Sequence, residues 1–411
     1  MTLATSTYWN CVHGFTAADV EKDAESLQNM RNLVRSHEVD VRFNRALLPV
    51  VTWPLVTLLA SYSYPEDRPN EGMERAMNKR MIGSLEVSAV GMGCMGFSHG
   101  YGKVPEEGYA IEAIRGAFEA GCTLFDTAEA YGQQQFWLGH NEELVGRAIA
   151  PFRDEVVLAT KFHPTDGVVE DEDPYDAIRA HLGASLRRLG TDRVDLYYLH
   201  RHDERSDIRR IAAAMGRLID EGRIGGWGLS QVDTELVRAA HEVTPVTAVQ
   251  NLYNVLERDV ETGLLPYLVE EGIGLVPFSP IASGALGGKI TPQTEFEKVD
   301  DVRNLVPQLS HENIAANQPI VDELARWAEA KGATPAQISL AWMLHKWPNV
   351  VPIPGSRNKG RILENLAAAD VSFTEDEFAE LDAALDALPV HGHRGHVEFQ
   401  GKSFLTRDAN R

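Results

Sequence analysis

Three apolar runs in this chain end in residues able to do acid–base chemistry. Leu124-Phe125 leads into Asp126, Val157-Leu158-Ala159-Thr160 into Lys161, and Val194-Asp195-Leu196-Tyr197-Tyr198-Leu199 into His200. The phenol of Tyr131 follows Asp126 in what reads as a loop, Thr127-Ala128-Glu129-Ala130-Tyr131-Gly132. A carboxylate, an ammonium, an imidazole and a phenol together can deliver a proton to an oxygen on which negative charge is building. A free tyrosine, with a pKa of about 10, is a poor acid at neutral pH. A buried ammonium beside it favours the phenolate and lowers that value, and a carboxylate holds the ammonium in place and charged. The residues therefore read as Tyr131 the proton donor, Lys161 its tuner, Asp126 the anchor of Lys161, and His200 the group that binds and polarises the oxygen. A lone Asp or Lys at a strand end is ordinarily a cap or a surface charge, so the case rests on all four together.

Such groups meet only if the runs are neighbouring strands whose ends converge, and the patterning supplies that arrangement. A hairpin predicted at Met81–Val87 leads into strands predicted at Val87–Cys94, Thr123–Thr127, Glu155–Lys161, Val194–His200, Gly225–Ser230, Ala248–Gln250, Gly274–Phe278 and Val350–Ile353. Amphipathic stretches between them predict helices, and a long insert spans Ile290–Gln318 before the final helices. Eight strands alternating with helices imply an α/β chain folded as a TIM (β/α)8 barrel, whose strand C-termini build one site. Barrel patterning covers residues 77–390. Residues 1–76 read as an extension outside the barrel, disordered or a mis-annotated start, with Met73, Met77 and Met81 available as initiators. Residues 391–411 read as a flexible C-terminal tail near the substrate mouth.

On these residues the sequence resembles the aldo-keto reductases, and within them the bacterial-type, aryl-alcohol-dehydrogenase-like branch. That family's tetrad is a D-x-x-x-x-Y element, a Lys closing the next strand and a His closing the one after, matched at Asp126, Tyr131, Lys161 and His200. The resemblance runs from about Lys79 to about Ala387. It implies NADPH-dependent reduction of aldehydes or ketones by direct hydride transfer, without a metal. It also leaves a second reading open, an NADPH-binding redox-sensing subunit with little turnover. By the same resemblance Cys94 and Met95 line the nicotinamide end through backbone contacts, and Ser230 and Gln250 grip the carboxamide. Gln231 stands where relatives often carry Asn, and Phe278 where many carry the Tyr that stacks on the nicotinamide. Stacking needs only a ring face, so Phe serves. Ser279, Ile281, Gly284, Leu286 and Lys289 follow on the segment that crosses the pyrophosphate.

The block Pro352-Ile353-Pro354-Gly355-Ser356-Arg357-Asn358-Lys359-Gly360-Arg361 leaves the last strand and opens a helix. TIM barrels often hold phosphate there, at a helix N-terminus. Arg357, Lys359 and Arg361 cluster within five residues of a chain whose net charge is −21. That clustering fits a 2′-phosphate better than a ribose hydroxyl, hence NADPH over NADH. The resemblance places Gly355, Ser356, Arg357 and Arg361 at the phosphate, and Glu364 and Asn365 at the adenine. Substrate contacts are expected from Tyr101, Phe136, Trp137, His163 and the insert, whose aromatics favour an apolar or aryl carbonyl compound.

Other signals are weaker. Gly91, Gly93 and Gly96 have G-x-G-x-x-G spacing, but Phe97–Gly102 continues as loop where the dinucleotide fingerprint needs a helix. Gly287-Gly288-Lys289 lacks the Ser or Thr of a P-loop, having Ile290 instead. His391, His393 and His396 match no fixed metal spacing. The acidic balance argues against a nucleic-acid partner. A mean hydropathy of −0.24 describes a globular chain. The apolar run Leu47–Ala60, broken by Pro49 and Pro54, is too short to span a bilayer. Three cysteines without metal or disulfide spacing favour a reducing, cytoplasmic setting.

Overall fold

The computed structural model describes residues 77–399 and 402–405. The extension expected over residues 1–76 lies outside the described residues. An antiparallel hairpin, β1 (Lys79–Ile82) and β2 (Leu85–Ser88), precedes seven parallel strands: β3 (Met92–Gly93), β4 (Leu124–Asp126), β5 (Val157–Phe162), β6 (Val194–Leu199), β7 (Ile224–Ser230), β8 (Ala248–Gln250) and β9 (Gly274–Leu275). They pair strictly in chain order. Parallel bridges from Leu275 to Val350 and from Gly93 to Gly355 insert the eighth segment between the last strand and the first, so the sheet closes on itself. Gly93 permits that approach: a Cβ there would lie 2.9 Å from the Ile353 carbonyl oxygen.

The eighth segment forms bridges rather than the predicted strand because Pro352 and Pro354 have no N–H to donate. What remains is Val351 N–H to Leu275 O at 2.9 Å, Ile353 N–H to Pro277 O at 3.2 Å, and Pro352 O accepting from Gly91. The predicted first strand is likewise divided. Ser88 ends β2, its N–H donating to Thr123 Oγ1 and its hydroxyl donating to Val90 O, each at 2.8 Å, and pairing resumes only at Met92.

Outside the sheet lie α1 (Glu107–Glu119), α2 (His140–Ile149), α3 (Asp166–Val169), α4 (Tyr175–Leu189), α5 (Ile208–Asp220), α6 (Thr234–His241) and α7 (Leu264–Glu270). They are followed by α8 (His311–Ala316), α9 (Gln318–Lys331), α10 (Pro335–Lys346), α11 (Lys359–Leu366) and α12 (Glu375–Ala387). Of the three apolar clusters among the described residues, two build the barrel and the third lies within the insert, at Val306, Leu309 and Ile314. The larger of the two packs strands on helices; the smaller fills the barrel with Leu124, Ala159, Leu196, Tyr198, Ala248, Val276, Val351 and Ile353. Ile82 and Val87 of the hairpin join that inner cluster and plug the barrel floor. The strand ends opposite the hairpin therefore carry the open face.

Among the described residues no helix is long and apolar enough to cross a membrane. The insert is not featureless: Asp300 accepts from Gly100 N–H at 2.8 Å, and Tyr101 bridges Asp301, so the insert is laced to the loop after β3. The first residues of the tail, among those described, are bonded to the rest of the chain. His391 exchanges two bonds with Asn317, His393 O accepts from Gln308 N–H, and Arg394 N–H donates to Glu257 at 2.6 Å. A hairpin of β10 (His396–Phe399) and β11 (Lys402–Leu405) follows.

On the outer layer Asp382 accepts from Trp342 Nε1 at 2.8 Å and from Lys346 Nζ at 2.8 and 2.9 Å. Burial pushes its carboxyl up, but Lys346 and Trp342 outweigh that and hold it below the usual range. A carboxylate with a lowered folded-state pKa contributes stability above its unfolded pKa, lost as pH falls through the folded value. Asp382→Asn is expected to cost about 1–3 kcal/mol at neutral pH, and denaturant titration should show the deficit shrinking on acidification.

Candidate active site

Strand register decides which side chains can meet. Asp126 lies level with Ala159 of β5, Lys161 with Tyr198 of β6, and Ser230 with Gln250. Each chemically useful residue thus sits at or just beyond a strand's C-terminal end. Lys161 is fully buried, and its Nζ reaches Asp126 Oδ1 at 2.5 Å, Thr127 O at 2.8 Å and Tyr131 Oη at 3.3 Å. An ammonium has three donors, and all three are satisfied here. The second Asp126 oxygen accepts from Gln250 Nε2 at 2.8 Å.

Around the Tyr131 ring stand His99, at 5.5 Å between centroids, and His200, edge-on at 5.7 Å. The ring of His163 lies 4.4 Å from that of His200. The four tetrad candidates and His163 are therefore brought together. Burial holds His200 well below the usual imidazole range, and the nearby charges of Arg201 and Lys161 push the same way. His200 is accordingly neutral, able to donate one hydrogen bond to a carbonyl oxygen. For Lys161, burial disfavours the ammonium, but Asp126 and Tyr131 outweigh it and raise its pKa. The pull of Lys161 on Tyr131 is present too, yet burial dominates, so the phenol sits above its ordinary value rather than below it as expected.

Two further residues belong here that sequence reasoning missed. Arg201, directly after His200, donates from Nη1 to His200 O at 2.5 Å and to Ser230 Oγ at 2.9 Å. Ser230 in turn donates to Gln250 O at 3.0 Å. His99 lies in the loop after β3. The basic character of Arg201 at a strand end was the available signal; for His99, in a glycine-rich loop, there was none.

The remaining expected residues fall into groups. Phe278 is half-buried just past β9, its N–H bonded to Asn251 O. Ser279, Ala282, Ser283 and Gly284 then take left-handed φ of 49°, 48°, 56° and 98°. Non-glycine residues there are uncommon and gather at ligand clamps. Backbone of alternating hand makes a concavity of N–H groups suited to anions, and the Ser283 hydroxyl is buried with no partner among the described residues. Ile281 is partly buried and Leu286 fully buried in this segment. Lys289 reaches Glu364 of α11 at 3.6 Å, so two candidate residues remote in sequence face each other. Gly355 is the closure residue beside Gly93. Asn358 caps α11 through Arg361 N–H, Ser356 Oγ accepts from Asn358 N–H, and Asn365 is buried. The Arg357 guanidinium donates to Lys103 O, and Lys359 pairs with Glu112 at 2.5 Å.

Cys94 is buried with both main-chain groups engaged inside the chain, N–H to Asp126 O and O from Asn141 Nδ2, while Met95 O accepts from Ser98 and His99. Tyr101 has the Arg303 guanidinium 5.6 Å from its ring. Phe136 and Trp137 are exposed; Phe136 stacks on His140 at 3.9 Å and Trp137 donates to Glu143. The stacking of Phe136 and the hydrogen bond of Trp137 thus run to α2.

The model of the Aldo/keto reductase family matches residues 89–386. Among solved structures, a glycerol dehydrogenase from Gluconobacter oxydans is 27% identical with a TM-score of 0.66, over 76% of this chain and 97% of that one. An aldo/keto reductase from Klebsiella pneumoniae, solved with NADP and acetate, is 29% identical with a TM-score of 0.58, over 77% and 99%. A thermostable aldo-keto reductase solved with the inhibitor epalrestat is 30% identical with a TM-score of 0.60, over 75% and 100%. The chain belongs to the aldo/keto reductase family.

Proposed function

We propose that this oxidoreductase uses NADPH to reduce aldehydes or ketones to alcohols, with Tyr131 as the proton donor. The observation that carries the reading is Lys161 Nζ held between Asp126 Oδ1 at 2.5 Å and Tyr131 Oη at 3.3 Å in a buried site beside a neutral His200. The donor set fits the cofactor: left-handed backbone at Ser279, Ala282, Ser283 and Gly284, a buried Ser283 hydroxyl with no partner among the described residues, and Arg361 exposed at the start of α11. Ser230 and Gln250 would hold the carboxamide, Phe278 the nicotinamide ring, Lys289 and the 279–286 segment the pyrophosphate, and Ser356, Arg357 and Arg361 the 2′-phosphate. Bound NADPH supplies the hydride. His200 orients the carbonyl oxygen, and Tyr131 passes its proton to that oxygen. Lys161 stabilises the resulting phenolate, and Asp126 keeps Lys161 charged. Tyr101, His163 and the insert line the substrate side. We place the enzyme in the cytoplasm and its substrates among small carbonyl compounds rather than nucleic acids.

Coenzyme consumption across a panel of aldehydes and ketones, with the alcohol product identified, tests this; no turnover with any carbonyl compound would refute it. Arg361→Ala should raise the KM for NADPH about 10–100-fold, the loss of one charge-assisted bond to phosphate. The KM for NADH should move less than about threefold. Equal effects on the two coenzymes would contradict the phosphate assignment.

A further inference from the structure

We propose that Thr127 and Asn141 form a positioning hub that holds Lys161 and Tyr131 at their working separation, an inference that rests on the reductase reading above. The tetrad accounts for two of the three Lys161 bonds. The third goes to a main-chain atom, Thr127 O, at 2.8 Å. That carbonyl is fixed from both sides. Thr127 N–H donates to Ala159 O at 2.9 Å, and its buried hydroxyl donates to Asn141 Oδ1 at 2.6 Å.

Asn141, also fully buried, lies in the first turn of α2, outside the barrel. Its Nδ2 donates to Cys94 O at 2.9 Å and to Ser98 Oγ at 2.8 Å. Its own N–H donates to Tyr131 O at 3.2 Å. One residue therefore ties the loop after β3, the carbonyl that Lys161 uses, and the backbone of the residue bearing the phenol. Only an amide meets these demands: one acceptor toward Thr127 and two donors toward Cys94 and Ser98. A carboxylate would face the Cys94 carbonyl with an acceptor, and an apolar side chain would leave buried groups unpaired. Neither Thr127 nor Asn141 supplies a group to the substrate; both act through Lys161 and Tyr131. The Lys161–Tyr131 distance of 3.3 Å is the longest of the three lysine bonds, and the influence of a charge in a low-dielectric site depends steeply on such distances.

The test follows the Tyr131 phenol titration by the 13C shift of its ring, assigned by its loss in Tyr131→Phe, alongside kcat and KM with an aldehyde. In Thr127→Val, which removes the hydroxyl with little change of shape, the ammonium is less well held. The titration should then rise by about one pH unit, equivalent to a tenfold change. Reduction kcat should fall about tenfold, while both KM values stay within about threefold. Thr127→Ser should restore titration and kcat together. Asn141→Ser, which withdraws the amide from Thr127, should act as Thr127→Val does and replaces it if that variant fails to fold. A titration unmoved in these variants, with or without a fall in kcat, would overturn the hub. Because the titration needs no turnover, that outcome is distinct from wild-type inactivity toward every carbonyl, which would overturn the reductase reading instead.

Discussion

Tyr131→Phe is expected to lower kcat for carbonyl reduction by about 10²–10⁴-fold, the range for losing a positioned general acid. The KM for NADPH should stay within about threefold, since the phenol acts in the transition state rather than in coenzyme binding. Phenylalanine keeps the ring between His99 and His200, so only the hydroxyl is lost. The wild-type pH profile carries a second signature. Only the protonated phenol donates, so the rate falls as pH rises through the Tyr131 pKa, which burial pushes above its ordinary value against the pull of Lys161. His200 is held neutral by burial and by Arg201 and Lys161, and contributes no inflection near neutrality. Reduction at saturating NADPH should therefore be flat through neutral pH and decline only on the far alkaline side. A break between about pH 6 and 7, the ordinary imidazole range, would contradict the placement of His200.

Lys161→Met is expected to abolish measurable turnover and to destabilise the fold by about 3–5 kcal/mol, the penalty for leaving one partner of a buried ion pair alone. Burial pushes the Asp126 carboxyl up, and Lys161 is the main influence opposing it. Without Lys161 the carboxyl titrates higher still, so the loss should shrink as pH is lowered and Asp126 takes up a proton. The double variant Asp126→Asn/Lys161→Met removes both charges and should recover most of the stability without recovering activity. Denaturant titration of wild type, Lys161→Met and the double variant at two pH values checks this. Recovery of turnover in the double variant would remove Lys161 from the mechanism.

What the sequence made legible follows from what physical chemistry writes into residue types. Asp126, Lys161 and His200 end apolar runs, and parallel strands in a closed sheet bring such ends together. Arg357, Lys359 and Arg361 stand out in an acidic chain, and the structure places them in the loop and first turn that open α11. Other parts had no such mark. Thr127 serves Lys161 through a carbonyl, which every residue possesses, and Asn141 reads as an ordinary polar residue at the start of a helix. The sign of the Tyr131 shift depends on burial against one charge, and residue order alone does not give depth. The thinness of the eighth strand was in principle readable from Pro352 and Pro354, whose missing N–H groups leave two bridges in place of a ladder. The tail's attachment was not, because it runs through main-chain bonds to Asn317, Gln308 and Glu257, remote in the chain.

The central claim is that a phenol held by a buried ammonium delivers the proton. Single-turnover NADPH oxidation by one aldehyde, with wild type and Tyr131→Phe both saturated in coenzyme, tests it most directly. Wild type should oxidise its bound equivalent at least about 100-fold faster than the variant, while both bind NADPH with the same Kd. Equal oxidation rates, or a wild type that binds NADPH and leaves it unoxidised with every aldehyde, would contradict it.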